Sequence, residues 1–204
     1  SIYLTVTATG PQQQASYTIF DYQGRRRIGD LGQYGGPSST PAFDARTGYL
    51  YTLSIDGDLV CWNTRRAGRR LWHRNLYDDF HVAQRPNVGG GRRDYGFTSS
   101  PLVQDRLVLV EVGAPAGTVI AFDKKTGRTR WSSQCKEPAG HTSGPVSLVV
   151  GGERYLVTLA LRGLIVRTVQ VTHPGRTLFR FPWQTDYGCN IPTPAGAKTI
   201  TVRS

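Results

Sequence analysis

Apolar residues in this chain come in short runs that alternate with clusters of Gly, Asp, Thr and Arg. Four such runs follow one another at Ser99–Val103, Arg106–Val110, Thr118–Asp123 and Arg128–Ser132. Four more follow at Val146–Val150, Arg154–Leu161, Leu164–Val171 and Arg176–Phe181. They are rich in Val, Leu, Ile, Tyr and Thr, which suit a pleated, half-buried surface. Between runs stand Asp56-Gly57, Gly151-Gly152 and Thr126-Gly127, where a chain reversal needs a positive φ that glycine adopts without steric cost. No segment holds a 3.6-residue apolar period behind a capping residue, so the pattern predicts strands and essentially no helix.

The runs are organised as a repeat. Its clearest copy is Ala121-Phe-Asp-Lys-Lys-Thr-Gly-Arg-Thr-Arg-Trp131, a strand, a tight turn and a second strand. A turn glycine followed four residues later by a bulky residue recurs as Gly68…Trp72, Gly127…Trp131 and Gly175…Phe179, with a fainter Gly24…Ile28. Upstream of each strong copy lies a segment rich in small polar residues and ending in proline, at Pro41, Pro101 and Pro145, and Pro194 ends a fourth. A four-stranded propeller blade takes roughly 40–50 residues, which matches these spacings once Asn75–Tyr95 is set aside as an insertion. The expected fold is an all-β propeller of four-stranded antiparallel blades. The blades fall at about 1–33 (partial), 36–74, 96–134, 140–182 and 187–204 (partial), so about four are present.

The motif has a physical logic. Asp123 can accept hydrogen bonds from backbone N–H groups of the turn that follows it. Gly127 supplies the left-handed residue. Trp131 falls on the outer strand, where its ring can pack on a neighbouring blade while its N–H finds a backbone acceptor. The first full unit has Asn63 near the Asp position and one extra residue before Gly68. The third keeps the bulky residue, as Phe179, after losing the polar turn.

This pattern resembles the tryptophan-docking repeat of PQQ-like, quinoprotein-type propellers. They include quinoprotein alcohol dehydrogenases and BamB-type outer-membrane assembly factors. The segments Tyr95-Gly-Phe-Thr-Ser-Ser-Pro101 and Trp183-Gln-Thr-Asp-Tyr-Gly-Cys-Asn190 resemble a branch of PQQ-like repeat proteins common in planctomycetes. The resemblance covers about residues 36 to 195. It implies a ring of seven or eight blades, of which this chain would be part. A closed four-bladed ring is the alternative, but Ile2–Thr7 and Lys198–Arg203 both read as second strands and would compete for one place. The chain starts at Ser1 and contains no Met, and it is read as processed, truncated or incomplete. Open blade edges would then favour self-association.

Three cysteines, Cys61, Cys135 and Cys189, show no metal-ligand spacing. Cys61, inside a strand run, reads as a buried small hydrophobe. Cys135 and Cys189 lie in loops entering the next blade and could bridge in an exported protein. The vicinal cysteine pair of quinoprotein dehydrogenases is absent from this portion.

Net charge is +11, carried by 21 Arg and 4 Lys. Much of it sits at one turn of the repeat: Arg25, Arg26 and Arg27; Arg65, Arg66, Arg69 and Arg70; Lys124, Lys125 and Arg128; and Arg176. Equivalent turns share one rim of a propeller. These residues are therefore expected either to form a solvated edge or to make a basic arc that docks an anionic partner such as a lipid surface, lipopolysaccharide or nucleic acid. Base-stacking aromatics are not interleaved with them, which ranks specific nucleic-acid recognition low.

Catalytic signatures are sparse. His73, His81, His141 and His173 are scattered, and Gly140-His-Thr-Ser-Gly144 is not a nucleophile elbow. Asp56-Gly-Asp58 reads as a hairpin turn, since a calcium cage needs many more oxygens. No metal site or catalytic residue is assigned. In PQQ-like propellers the loops before each first strand carry the cofactor. The positions here that match them are Tyr34, Tyr95, Phe97, Thr98, His141, Thr142, Tyr187 and Asn190, which could line a shallow funnel or simply cap strand ends. The Asp base, calcium ligands and stacking Trp of a PQQ dehydrogenase find no match, so no cofactor is expected. PQQ and calcium belong only to the alternative that the chain is part of a dehydrogenase. The leading expectation is a non-catalytic binding or scaffolding module of the bacterial cell envelope, periplasmic or otherwise exported, with a protein or an anionic envelope component as its partner. A glycan-binding propeller is the third reading. No apolar run approaches the roughly 18–20 residues that span a bilayer.

Overall fold

A computed structural model describes residues 2–9, 14–22, 39–82, 96–113, 115–139, 144–168 and 174–183. Strands β1 (Ile2–Thr9) and β2 (Gln14–Tyr22) pair as an antiparallel hairpin. Three four-stranded sheets follow, each an antiparallel meander in sequence order. The first blade is β3 (Ala42–Asp44), β4 (Tyr49–Leu53), β5 (Asp58–Asn63) and β6 (Arg69–Asn75). The second is β7 (Leu102–Gln104), β8 (Leu107–Gly113), β9 (Gly117–Asp123) and β10 (Thr129–Ser132). The third is β11 (Val146–Val150), β12 (Glu153–Ala160), β13 (Gly163–Thr168) and β14 (Thr177–Pro182). These are blades of a β-propeller, in the strand order the repeat predicts.

Strand register puts the three blades in correspondence. Trp72, Trp131 and Phe179 stand opposite Cys61, Ala121 and Val166. Both faces of a middle strand are buried, because each blade packs on its neighbours. Tyr51, Leu53, Leu59 and Cys61 of the first blade meet Val108, Val110, Ile120 and Phe122 of the second in one core cluster. Leu109, Val119 and Ala121, on the second blade's other face, meet Leu156 of the third. Each large side chain buried in this way stabilises by about 1.5–3 kcal/mol relative to exposure.

The bulky residue of the repeat crosses the blade boundary. Trp72 lies on Gly127 of the next blade so closely that a Cβ there would sit 2.8 Å from the indole, and Gly127 has φ +69°. Only glycine meets both demands. The Trp72 Nε1 donates to the Lys124 carbonyl at 3.1 Å. Trp131 repeats the arrangement on Gly175. The turn itself is built as its residues predict. Asp123 Oδ1 accepts from the Lys125 and Thr126 amides at 3.0 and 3.1 Å and from the Thr126 hydroxyl at 3.2 Å. In the first blade the extra residue is absorbed by a 3-10 turn at Thr64–Arg66, capped by Asn63 and closed by left-handed Ala67.

One expectation fails. The insertion opens with a short helix, α1 (Leu76–Phe80), where essentially none was expected. Five residues are too few to show a 3.6-residue period. Its start is nevertheless written in Asn75, whose side chain accepts from the Tyr77 and Asp78 amides at 3.1 Å, an N-cap. Leu76 and Tyr77 are buried, and the Tyr77 ring meets Phe97 edge-on with centroids 4.7 Å apart.

The second interface departs from the first. By register, Glu111 stands where the first blade has Leu53, and Arg167 where the second has Phe122. Both are fully buried. The Arg167 Nη1 donates to Thr158 Oγ1 at 2.9 Å, while its Nε and Nη2 find no oxygen acceptor among the described residues. Burial pulls the Arg167 pKa down, opposed by the Cys135 thiol and by the charges of Glu111 and Glu137. Two apolar positions of the repeat have thus become charged at one blade junction.

Candidate functional site

In an antiparallel meander of four strands, the first and third hairpins turn at the same end of the sheet. That end therefore carries residues 45–48 and 64–68 of the first blade, 105–106 and 124–128 of the second, and 151–152 and 174–176 of the third. Hydrogen bonds join these turns. Arg65 Nη2 donates to the Ala45 carbonyl at 2.9 Å, and the Lys124 amide donates to the Arg106 carbonyl at 2.9 Å. Between blades, Arg46 Nη2 reaches the Asp105 carbonyl at 3.3 Å. Arg154 of the third blade pairs with the Asp105 carboxylate at 2.9 Å. One aspartate thus links three blades.

Sequence reasoning named the third-hairpin basic residues and missed the first-hairpin ones. Arg46, Arg106 and Arg154 share the same end and are exposed. The signal was available in the strand count, since alternate turns of a meander return to one end. Of the predicted arc, Arg65, Arg66, Arg69, Arg70, Lys125, Arg128 and Arg176 are exposed. Arg25, Arg26 and Arg27 lie outside the described residues.

Lys124 has to be withdrawn from the arc. It is 3% exposed, and its Nζ is 2.5 Å from Asp44 Oδ2 of the preceding blade. Its carbonyl accepts from Tyr51 Oη at 3.0 Å as well as from Trp72, and the Cys61 thiol points at it from 3.9 Å. Lys124 is therefore a tie between blades. Burial raises the Asp44 pKa, but hydrogen bonds from Lys124, Thr47 and the Arg46 amide outweigh it and hold the carboxyl below its ordinary range. Burial likewise pushes the Cys61 thiol up to about 12.

The carboxylates at this end are mostly engaged. Asp44 is taken by Lys124 and Asp105 by Arg154. Asp123 is turned into its own hairpin; burial raises its pKa, but the turn's N–H groups outweigh that and lower it. Among the described residues, Arg66, Arg106, Lys125, Arg128 and Arg176 make no ion pair. A cleft of about 590 Å³ opens between the first two blades, lined by Arg46, Thr47, Arg106, Asp123, Lys124 and Lys125. With Lys124 neutralised by Asp44, the cleft presents three cations and one carboxylate already held by amides.

The opposite end carries the loops that precede each first strand. Of the eight residues expected to line a funnel there, only Phe97 and Thr98 are described. Tyr34, Tyr95, His141, Thr142, Tyr187 and Asn190 lie outside the described residues. Phe97 is corrected to a core residue. It is 5% exposed and packs between Tyr77 and Gly57, with its amide donating to the Ile55 carbonyl. Thr98 is half-buried. His73, a scattered histidine in the sequence, pairs with Asp58 at 2.8 Å on the surface. Asp56-Gly57-Asp58 closes a hairpin in which the Gly57 amide donates to Ser54 and the Ser54 amide to Asp58. No three His, Cys, Asp or Glu side chains come together as a metal site among the described residues. The proposed partner of Cys135, Cys189, also lies outside them. Among them, no helix is long and apolar enough to cross a membrane.

The family model for the outer membrane protein assembly factor BamB matches residues 23–172. No curated protein matches the chain in sequence. Among solved structures, BamB from Moraxella catarrhalis is similar at 16% identity and a TM-score of 0.49, over 84% of this chain and 41% of that one. A europium-containing methanol dehydrogenase is similar at 12% identity and a TM-score of 0.36, over 88% of this chain and 49% of that one. The chain thus spans less than half the length of either protein.

Proposed function

The chain belongs to the family of the outer membrane protein assembly factor BamB, and on that footing we propose a non-catalytic propeller that binds and scaffolds in the bacterial cell envelope. It is exported, and it engages an anionic partner through the end formed by its first and third hairpins. The observation that carries this reading is the set of exposed cations there that make no ion pair among the described residues: Arg66, Arg106, Lys125, Arg128 and Arg176. Their neighbouring carboxylates are held by Lys124, Arg154 and the turn amides. Such a field attracts and orients an anionic surface without any bond being made or broken.

Two measurements test the proposal. Retention on a heparin column should be strong at low salt and fall steeply as salt rises. Negligible, salt-insensitive retention would remove the docking role. Adding PQQ with calcium should produce neither a quinone spectrum nor dye-linked oxidation of alcohols or sugars. Appearance of either would move the reading to a dehydrogenase.

A further inference from the structure

We propose that the cleft between the first and second blades takes the phosphate of a lipid headgroup, so that the basic end of the propeller lies on an anionic lipid surface. The inference rests on the docking role proposed above and names the partner.

Three observations favour lipid over other polyanions. The first is the make-up of the cleft. Arg46, Arg106 and Lys125 come from three different turns, and Arg46 is braced by the Asp105 carbonyl. Guanidinium forks match phosphate oxygens in pairs, while an ammonium adds a point charge. The space, about 590 Å³, is ample for a phosphate with its glycerol. The second is the distribution of the remaining cations. Arg66, Arg128 and Arg176 belong to turns of three successive blades. A cation from each blade at the same end suits an extended charged surface, where each basic residue adds a similar increment, better than one compact ligand. The third is the absence of stacking groups. The described turns at 45–48, 64–68, 105–106 and 124–128 contain no aromatic residue, whereas single-stranded nucleic acids are held largely by such platforms.

The test uses the whole chain and two charge-matched variants. One carries Arg106→Gln and Lys125→Gln in the cleft. The other carries Lys136→Gln and Arg162→Gln, both exposed and both outside the basic end. Vesicles of neutral phosphatidylcholine, with or without phosphatidylglycerol, are mixed with each protein and sedimented at low and physiological salt. The native chain should partition onto phosphatidylglycerol vesicles and not onto neutral ones. The cleft variant should lose about thirtyfold in partition coefficient, the effect of two surface cations, and the control variant less than about threefold. Equal losses in both variants would overturn the inference, because net charge alone would then explain binding. Heparin retention without vesicle binding would overturn the lipid partner and leave the docking role standing. Loss of both would remove both.

Discussion

Replacing Lys124 with Met tests the tie between the first two blades. The substitution removes the ammonium and leaves the Asp44 carboxylate in place, with side-chain exposures of 4% for the lysine and 10% for the aspartate. Removing one member of a buried pair costs about 3–5 kcal/mol, because the other charge is left uncompensated. Asp44 keeps its hydrogen bonds from Thr47 Oγ1 at 2.8 Å and the Arg46 amide at 3.2 Å, which places the loss near the lower end, about 3 kcal/mol. For a chain of this size that is a Tm lower by roughly 6–12 °C. The carbonyl that accepts from Tyr51 and Trp72 belongs to the backbone and survives, so native tryptophan emission should not move. Urea unfolding followed by fluorescence and by circular dichroism measures the loss. Because the folded Asp44 pKa is depressed, the pair's contribution is full above the ordinary carboxylate range and disappears as pH falls through the folded value. The gap between native and variant proteins should therefore narrow as pH falls below the ordinary carboxylate range. A loss under about 1 kcal/mol at neutral pH, the size of an exposed pair, would refute the reasoning. So would a gap that ignores pH.

Three further outcomes follow from the packing. Gly127→Ala should destabilise by about 2–4 kcal/mol, since it meets both a positive φ and the Trp72 ring. Gly151→Ala, at positive φ but with nothing within 4 Å, should cost only about 1 kcal/mol, and comparable losses at both sites by urea unfolding would count against the docked indole. Glu111→Leu alone should cost about 3 kcal/mol or more by leaving buried Arg167 short of a counter-charge, whereas Glu111→Leu with Arg167→Phe, the residues of the other interface, should recover most of it; failure of the pair to recover would show that the two charges act independently. Cys61, with its thiol pushed up to about 12 by burial, should resist alkylation at pH 8 until the chain unfolds, and mass spectrometry of the native protein showing Cys61 modified would contradict that burial.

Strands and turns were legible because they are local. Alternation, β-branched residues and Gly-containing turns act over a few positions, and the register of the repeat follows from them. What escaped depends on contacts far apart in the chain. Lys124 and Lys125 look alike in sequence, yet one meets Asp44, 80 residues earlier, and the other faces solvent. Phe97 reads as a loop aromatic until Tyr77, from an insertion, is packed against it. Arg46 and Arg106 could have been found from the meander alone, by asking which turns share an end. Glu111 and Arg167 were visible as charges inside apolar runs; only the register showed that they replace Leu53 and Phe122.

The indole that rests on the next blade's glycine has a consequence for anyone who would cut or graft this protein. A segment excised from β3 through β6 carries Trp72 away from Gly127 and leaves both without their fit. The unit that can be moved intact begins and ends out of phase with the sheets: it must carry the third hairpin of one blade together with the outer strand of the blade before it. Sheets divide the chain for the eye, but a recombination point inside the third hairpin, after Gly127 and before the outer strand that carries Trp131, would keep each tryptophan with its glycine.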